Sequence, residues 1–213
     1  MKQLIIIGAR GWGRECYSLA HRTDAYKNGE YEVKGFLDSN SNAFEGLKGD
    51  FPPILGDVES YVVKPDDVFV CAMGKSYWRR YYADIIEKKG GVFISLISSK
   101  AIIFENAEID YGCIVSDFSI ISDNVRLGKH VMIHPSCVLG HDVKVGDYAS
   151  LYFDVFLGGY VKIGESAEMN PKSMVIPHKT VGKNAVVGAA SVVIRNVKDN
   201  AHVFGNPAVA IDC

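Results

Sequence analysis

Cysteine is scarce in this sequence, and its spacing excludes two common structural uses. The 213 residues contain five cysteines and no CxxC pair, which argues against a disulfide framework and a zinc finger. We expect buried thiols at these positions: Cys16, Cys71, Cys113, Cys137 and Cys213. An excess of charge is also lacking, because a net charge of −2 gives no basic field for nucleic acid.

Long hydrophobic runs are missing as well. The apolar run nearest the start covers residues 4–7, which is far too short for a membrane-spanning helix. Residues 1–3 are not followed by the long apolar stretch of a secretory signal peptide. With 48% hydrophobic residues, the chain can still bury one substantial core or two modest ones. We therefore expect a cytoplasmic protein with neither membrane nor nucleic acid as a partner.

A six-residue repeat dominates the second half of the chain. Ile, Val, Leu or Met recurs without a gap at Ile103, Ile109, Val115, Ile121, Leu127, Ile133, Leu139, Val145, Leu151, Leu157, Ile163, Met169, Val175, Val181, Val187 and Val193. Four residues after each of these lies a small or β-branched residue, with Lys179 as the exception. A period of six fits neither an α-helix nor one long alternating strand. It predicts short strands joined by corners, which is a β-helix with bulky residues along its axis.

The first half follows a different pattern, in which strands alternate with helices. Strands are predicted at residues 4–7, 31–37, 68–72 and 92–97, and helices at about 14–21 and 76–89. This alternation predicts a small parallel sheet. Because a polar stretch at residues 98–100 separates the two patterns, we predict domains at residues 1–98 and 99–213.

Glycines mark the turn between the first strand and the first helix. Gly8, Gly11 and Gly13 let the backbone approach a ligand, and the helix N-terminus favours a phosphate there or near Gly74. The spacing is G-x-x-G-x-G, with Arg10 in the place of the second glycine of the dinucleotide motif. A sugar nucleotide, a dinucleotide or a tight turn used only for packing all remain compatible with it.

Two further features near this turn have alternative interpretations. Asp38, at the end of the second strand, suits a hydrogen bond to a ribose or base, and it suits a turn equally well. An aromatic group, Trp12, Trp78, Tyr81 and Tyr82, suits stacking on a nucleobase or filling of a core or interface.

A histidine occupies a corner of the predicted β-helix. His141 follows Leu139 by two residues, and its imidazole, with an ordinary pKa near 6.5, is a natural general base. Asp142 is placed to orient it, and Gly159, eighteen residues on, is placed to stack beside it and to offer a backbone N–H to a reacting carbonyl. A bland surface histidine is the alternative.

Five segments together carry a family resemblance: residues 8–15, 35–38, 139–147, 158–164 and 203–208. With them the chain resembles, from end to end, the NeuD/PglD-like sugar O- and N-acyltransferases of the hexapeptide acyltransferase superfamily. The resemblance implies an α/β Rossmann-like amino-terminal domain that holds a nucleotide-linked sugar. An all-β left-handed parallel β-helix of hexapeptide repeats would follow, forming a homotrimer with acetyl-CoA bound between subunits.

The same resemblance implies roles for individual residues. His141 would be the general base and Asp142 its acidic companion, while Gly159 would contact the acetyl thioester. The turn of Gly205, Asn206 and Pro207 would hold the CoA arm. The sugar-nucleotide site would comprise Gly8, Arg10, Gly11, Trp12, Asp38 and Gly74. The reaction would acetylate an amine or hydroxyl of a nucleotide-linked sugar in surface-glycan biosynthesis, without a metal.

Three departures from the family pattern qualify this transfer. Arg10 and Trp12 stand where relatives commonly have glycine and histidine, which alters the expected sugar-nucleotide pocket. Ser150 replaces a second histidine of some N-acetyltransferases in the group, and residues 97–101 read Ile-Ser-Ser-Lys-Ala instead of Ile-His-Pro-x-Ala. The missing histidine disfavours a close copy of the bacillosamine-pathway enzymes.

Two other functions compete with acyl transfer. A β-helix carbonic anhydrase would use zinc-binding histidines. His130, His134, His141 and His178 lie three, one, two and three places after the preceding apolar residue of the repeat, so they give no shared ring of ligands. We expect His134 and His178 at the coil surface or at subunit contacts. A non-enzymatic scaffold that binds a sugar nucleotide is the second rival. A thiol nucleophile is disfavoured because Cys113 and Cys137 occupy inward positions.

Overall fold

The computed structural model describes residues 1–211, so Cys213 lies outside the described residues. The chain divides into two compact units, Met1–Ser98 and Ser99–Cys213, at the polar stretch between the two sequence patterns. Within residues 1–211, no helix has both the length and the apolar character needed to cross a membrane.

The first unit is an α/β domain. Its elements in chain order are β1 (Lys2–Ile7), α1 (Gly11–Ala20), α2 (Asp24–Lys27), β2 (Tyr31–Leu37), β3 (Asp67–Cys71), α3 (Ser76–Lys88), β4 (Val92–Phe93) and β5 (Leu96–Ile97). Four strands form a parallel sheet in the order β2-β1-β3-β4. Residues 4–7 of β1 are fully buried, because the strand lies between two neighbours and beneath helices.

Three local features differ from the sequence expectation. Helix α1 begins at Gly11, three residues early, and Gly13 lies so close to β1 that a Cβ there would be 1.8 Å from the Gly8 carbonyl oxygen. The short helix α2 is additional, with Thr23 accepting a hydrogen bond from the Tyr26 N–H. The predicted fourth strand is broken into β4 and β5.

The second unit is a β-helix of two-residue strands. They are β6 (Ile102–Ile103), β7 (Glu108–Ile109), β8 (Ile114–Val115), β9 (Ile120–Ile121), β10 (Arg126–Leu127), β11 (Met132–Ile133), β12 (Val138–Leu139), β13 (Lys144–Val145), β14 (Ser150–Leu151), β15 (Phe156–Leu157), β16 (Lys162–Ile163), β17 (Glu168–Met169), β18 (Met174–Val175), β19 (Thr180–Val181), β20 (Val186–Val187) and β21 (Val192–Val193). The unit ends with two strands that pair antiparallel, β22 (His202–Phe204) and β23 (Val209–Ala210).

Every third strand stacks in parallel register, so each coil takes eighteen residues and the unit has three flat faces. One face runs β6-β9-β12-β15-β18-β21, the second β7-β10-β13-β16-β19, and the third β8-β11-β14-β17-β20-β22-β23. The second residue of each short strand points inward. From Val115 to Val193 these residues are at most 4% exposed, as the six-residue repeat predicts.

The corners depend on left-handed backbone conformations. One residue in every six has φ near +60°, from Phe118 to Ala190, and Asn, Asp, His and Ser occupy many of these positions. Such residues tolerate this region better than most non-glycine residues. The residue after each positive-φ position, such as Val143 after Asp142, points into the core, whereas the residue before it, such as His141, is exposed. Functional groups can therefore collect in a column along each corner.

Candidate active site

The first unit contains a cleft of about 360 Å³ at the carboxyl ends of β1, β2 and β3. Because β2 and β3 flank β1 on opposite sides, this is where a parallel sheet opens a crevice for ligands. The lining includes five of the six residues assigned to the sugar-nucleotide site, namely Gly8, Arg10, Trp12, Asp38 and Gly74. Gly11, the sixth, lies at the start of α1 and lines a neighbouring depression instead.

The glycine turn at the head of α1 is fixed by Asp38. Its Oδ2 accepts a hydrogen bond from the Ala9 N–H at 2.8 Å, and its Oδ1 accepts one from the Asn40 N–H at 2.9 Å. Gly8 has a φ of +97°, which only glycine adopts at low cost. Of the two roles open to Asp38, the structure shows the turn role directly. The carboxylate still faces the cleft.

A buried arginine holds the opposite wall of the cleft. Arg79 of α3 is fully buried, and its Nη1 donates to the carbonyl oxygens of Met73 at 2.8 Å and Gly74 at 3.2 Å. These two residues follow β3 and line the cleft. No sequence pattern predicts this contact, because an arginine on an aromatic-rich helix is usually a surface residue.

Aromatic rings close the outer part of the cleft. Trp78 and Tyr82, one helical turn apart on α3, are stacked with an interplanar angle of 25° and a centroid distance of 5.9 Å, and both line the cleft. Trp12 lines it from α1, whereas Tyr81 is 40% exposed outside it. The cleft therefore combines a phosphate-sized backbone turn with flat surfaces suited to a base or sugar ring.

In the second unit, the corner between β12 and β13 brings His141 and Asp142 into direct contact. The Nδ1 of His141 lies 2.8 Å from the Oδ2 of Asp142, and the Oδ1 of Asp142 accepts a 2.6 Å hydrogen bond from the Asn124 side chain one coil away. Asp142 has a φ of +60°, which turns its carboxylate back toward the preceding residue. The hydrogen bond from His141, followed by that from Asn124, lowers the pKa of Asp142.

Gly159 lies beside the other edge of the imidazole. A Cβ built on Gly159 would be 2.8 Å from the Nε2 of His141 and 2.9 Å from its Cε1. Among residues 1–211 the Gly159 N–H donates no hydrogen bond to the backbone, while its carbonyl accepts from the His178 N–H. The ring therefore has Nδ1 within hydrogen-bond distance of a carboxylate and Nε2 beside the Gly159 backbone, and 59% of the side chain is exposed.

Two more side chains extend this corner along the β-helix axis. Tyr160 packs edge-on to His141 with centroids 5.1 Å apart, and its other side stacks on His178 at 4.7 Å and 8°. The imidazole of His141 stays open, with 59% of its side chain exposed. A groove of about 430 Å³ runs along the corner, and it includes Asn124 and Asp142 in its lining.

The turn of Gly205, Asn206 and Pro207 lies elsewhere on the same unit. The Gly205 N–H donates to Ser191 Oγ at 3.0 Å, and its carbonyl accepts from the Val192 N–H, which ties the turn to β21. Strand β21 is three coils beyond β12, or roughly 14 Å along the axis. One chain thus does not bring this turn into contact with His141.

The remaining histidines and thiols are arranged differently. His134 is 6% exposed and packs against Tyr152 and Phe153, so the expectation that it lies at the coil surface is wrong. His130 is also buried, between Tyr111 and Tyr148, whereas His178 is exposed as expected. In residues 1–211 no three His, Cys, Asp or Glu side chains form a metal-binding group.

The four described cysteines are all buried and free. Burial raises the pKa of the Cys71 and Cys137 thiols to about 12. Cys113 and Cys137 donate to backbone carbonyl oxygens inside the coil. Thiols that are protonated and enclosed are poor nucleophiles.

Comparison with known proteins places this geometry in a family context. Residues 3–90 match the family described as the PglD N-terminal domain. This match covers most of the first unit. A comparison with curated protein sequences gave no match.

Solved structures match the whole chain. The acetyltransferase domain of PglB from Neisseria gonorrhoeae FA1090, in complex with acetyl coenzyme A, is 25% identical with a TM-score of 0.86, and 99% of each chain is covered. A variant of perosamine N-acetyltransferase from Caulobacter crescentus, in complex with CoA and GDP-perosamine, is 20% identical with a TM-score of 0.85 over 100% of this chain and 98% of that one. WeeI from Acinetobacter baumannii AYE is 22% identical with a TM-score of 0.75 over 99% and 100%.

These matches confirm three expectations from the sequence. The fold is an α/β domain, in which residues 3–90 match the PglD N-terminal domain family, followed by a left-handed parallel β-helix. The resemblance to NeuD/PglD-like acyltransferases holds, and the predicted enzyme class, an acyltransferase, agrees with the neighbours. The roles of individual residues are not decided by the matches and depend on the geometry of this chain.

Proposed function

We propose that this protein transfers an acetyl group from acetyl-CoA to an amine or hydroxyl of a nucleotide-linked sugar, in the biosynthesis of surface glycans in the cytoplasm. The observation that carries the proposal is the arrangement of His141 between Asp142 and Gly159. One ring nitrogen lies 2.8 Å from a carboxylate oxygen, and the other lies beside the Gly159 backbone on a side chain that is 59% exposed. This is the arrangement required of a general base next to an oxyanion donor.

In this mechanism the Asp142 carboxylate accepts the Nδ1–H of His141 and so fixes the tautomer in which Nε2 carries the free lone pair. Nε2 removes a proton from the acceptor amine or hydroxyl as that atom attacks the acetyl carbonyl carbon. The Gly159 N–H stabilises the charge that develops on the carbonyl oxygen. The carbon–sulfur bond then breaks, and CoA leaves as a thiolate that takes the proton back from His141.

Direct transfer fits this site better than a covalent enzyme intermediate. The buried thiols of Cys113 and Cys137 face the coil interior, away from the His141 corner. Acid–base help and an oxyanion contact each contribute roughly two to three orders of magnitude, and positioning of the two substrates contributes much of the rest.

The proposed acceptor follows from the first unit. Its cleft offers a glycine turn at the N-terminus of α1 for phosphate and aromatic surfaces for a ring, and no acidic residue occupies the first turn of α1. GDP-perosamine bound to a relative with the same fold supports a sugar nucleotide as the ligand, and acetyl-CoA bound to another supports the donor. Arg10 and Trp12 give this cleft its own lining, and binding assays with a panel of nucleotide-linked sugars test which of them it accepts.

We also propose a homotrimer with acetyl-CoA bound between subunits. The outward side chains of one face are apolar on all six of its strands: Ile102, Ile120, Val138, Phe156, Met174 and Val192. Phe156 and Met174 are 41% and 38% exposed in the single chain. A continuous apolar face of this kind is typical of a subunit interface.

The location of the catalytic corner supports the same assembly. His141 lies in the corner that borders the apolar face, directly after β12, and the Gly205–Pro207 turn is tied to β21 at the far end of that face. If the face packs on a second copy, both features come to the edge of an interface. An extended CoA molecule would then lie along that edge, with contacts from two chains.

His141→Ala tests the proposed function. We expect turnover with acetyl-CoA and the correct sugar nucleotide to fall by about a hundredfold or more, because the general base is lost. Binding of acetyl-CoA should stay close to that of the unmodified protein, since the exposed ring is not required for the fold. Release of free thiol measures turnover, and calorimetry measures binding. Near-normal turnover of the variant would refute the assignment.

A further inference from the structure

A cationic strip lies on the β-helix face next to the His141 corner. The outward side chains of β7, β10, β13, β16 and β19 are, in order, Glu108, Arg126, Lys144, Lys162 and Thr180. Val145 and Ile163, the strand partners of the two lysines, point inward and are at most 4% exposed. Lys144 and Lys162 are therefore exposed on the outer surface of adjacent coils.

The register of this face places like charges side by side. Lys144 pairs directly with Lys162 on one side and with Arg126 on the other, in strands about 4.8 Å apart. Arg126 forms an ion pair with Glu108, whose Oε2 lies 3.4 Å from the Arg126 Nε. Neither lysine forms an ion pair within residues 1–211. Like charges on directly paired strand residues destabilise a sheet. The repulsion between Lys144 and Lys162 is therefore not offset by an ion pair to either lysine within the described chain.

Both lysines line the groove that includes Asp142, the partner of His141. The groove of about 430 Å³ is bordered by Asn124, Asp142, Lys144, Tyr160, Lys162, His178 and Thr180. These residues belong to four successive coils, so the groove follows the axis for roughly 14 Å. Its shape suits an extended molecule that passes Asp142, the partner of His141, and its cationic edge suits an anionic group on that molecule.

We propose that Lys144 and Lys162 bind a phosphate group of a substrate that lies in this groove. The inference rests on the proposed function, because acetyl-CoA and a nucleotide-linked sugar both carry phosphates. A lysine ammonium binds phosphate as a compact charge without a fixed geometry, which matches two flexible side chains on an open edge. The bound phosphate would also neutralise the repulsion between the two coils. The two lysines thus set affinity for a substrate without touching the reacting atoms.

The test is the double variant Lys144→Gln/Lys162→Gln. Its matched control is Lys48→Gln/Lys198→Gln, which removes two exposed lysines outside the groove. Calorimetry at low salt would measure the binding of CoA, of pantetheine, and of GDP and UDP to the full-length chain. We expect affinity for a phosphate-bearing ligand to fall about tenfold, and the difference to shrink as salt screens the charges. Pantetheine, which lacks phosphate, should bind equally to both.

The outcomes separate the sources of the phosphate. A loss confined to CoA assigns the lysines to the acyl donor, and a loss confined to a nucleoside diphosphate assigns them to the acceptor. The thermal midpoint of the double variant should equal or exceed that of the unmodified protein, because a repulsion has been removed. Unchanged affinity for every phosphate ligand, or an equal loss in the control, would overturn the inference alone. An unmodified protein that binds neither CoA nor a nucleotide would overturn the proposed function with it.

Discussion

Gly159→Ala separates catalysis from folding at the His141 corner. The added Cβ would lie 2.8 Å from Nε2 of His141, whereas ordinary van der Waals contact begins at 3.4 Å, so 3.4 − 2.8 = 0.6 Å must be made up by movement. The imidazole is 59% exposed and ends a flexible side chain. We therefore expect the ring to rotate away while the coil stays in place.

This displacement has a calculable effect on the reaction. The ring would leave its 2.8 Å contact with Asp142, and the new methyl group would occupy the space beside Nε2 where the acceptor must approach. Because a misplacement of about 1 Å can cost about a hundredfold in rate, we expect kcat to fall by roughly ten- to a hundredfold. The free energy of unfolding should change by no more than about 0.5 kcal/mol, since the displaced ring is largely exposed.

The neighbouring glycine supplies the control. A Cβ on Gly158 would lie 2.7 Å from both the Cδ and the backbone nitrogen of Pro177, which cannot swing aside. Gly158→Ala should therefore destabilise the chain by about 1 to 3 kcal/mol through overpacking. Steady-state thiol release gives kcat, and thermal unfolding gives stability. A Gly159→Ala variant with normal kcat, or one that melts as early as Gly158→Ala, would refute the reasoning.

Three further predictions follow from other parts of the structure. Asp142→Asn should lower kcat at least about tenfold with unchanged KM for acetyl-CoA, because the tautomer of His141 is no longer fixed; an unchanged kcat in the thiol assay would contradict this. Burial raises the pKa of Asp67, but hydrogen bonds, led by that from Lys34, outweigh burial, so the pKa in the folded chain is lower than in the unfolded chain. The ionised carboxylate therefore stabilises the fold above pH about 4, the ordinary pKa of Asp. This stabilisation is lost as the pH falls through the lowered pKa of the folded chain. Acid unfolding followed by circular dichroism should accordingly be less steep in Asp67→Asn, and an identical acid limb would contradict the assignment. Phe156→Asp places a charge in the apolar face and should convert the proposed trimer to smaller species. Light scattering measures the mass, which an exposed substitution such as Lys198→Gln should leave unchanged.

Much of the fold was predictable because its determinants are local. The six-residue repeat states which residue of each short strand points inward, and Val115 to Val193 are buried accordingly. Strand β2 spans Tyr31–Leu37 as its apolar pattern predicts. The breaks between β4 and β5 and the early start of α1 were not predictable, because they depend on packing against residues distant in sequence.

The site shows the same division. Periodicity placed His141 in a corner and Gly159 one coil above it, and the structure brings these two together. It did not predict that His134 is buried, since its ring packs on Tyr152 and Phe153 of the next coil. The contact of Arg79 with the loop after β3 also had no sequence signal.

The architecture follows from the amino-acid pattern, because a repeat of period six and a strand-turn-helix pattern each encode a local geometry that recurs along the chain. The geometry of the candidate site depends on three-dimensional packing. The left-handed backbone of Asp142 turns its carboxylate onto His141, and the stacking of coils lines up Lys144 with Lys162. Such relations depend on backbone angles at single residues and on distances between coils, which a linear pattern does not contain.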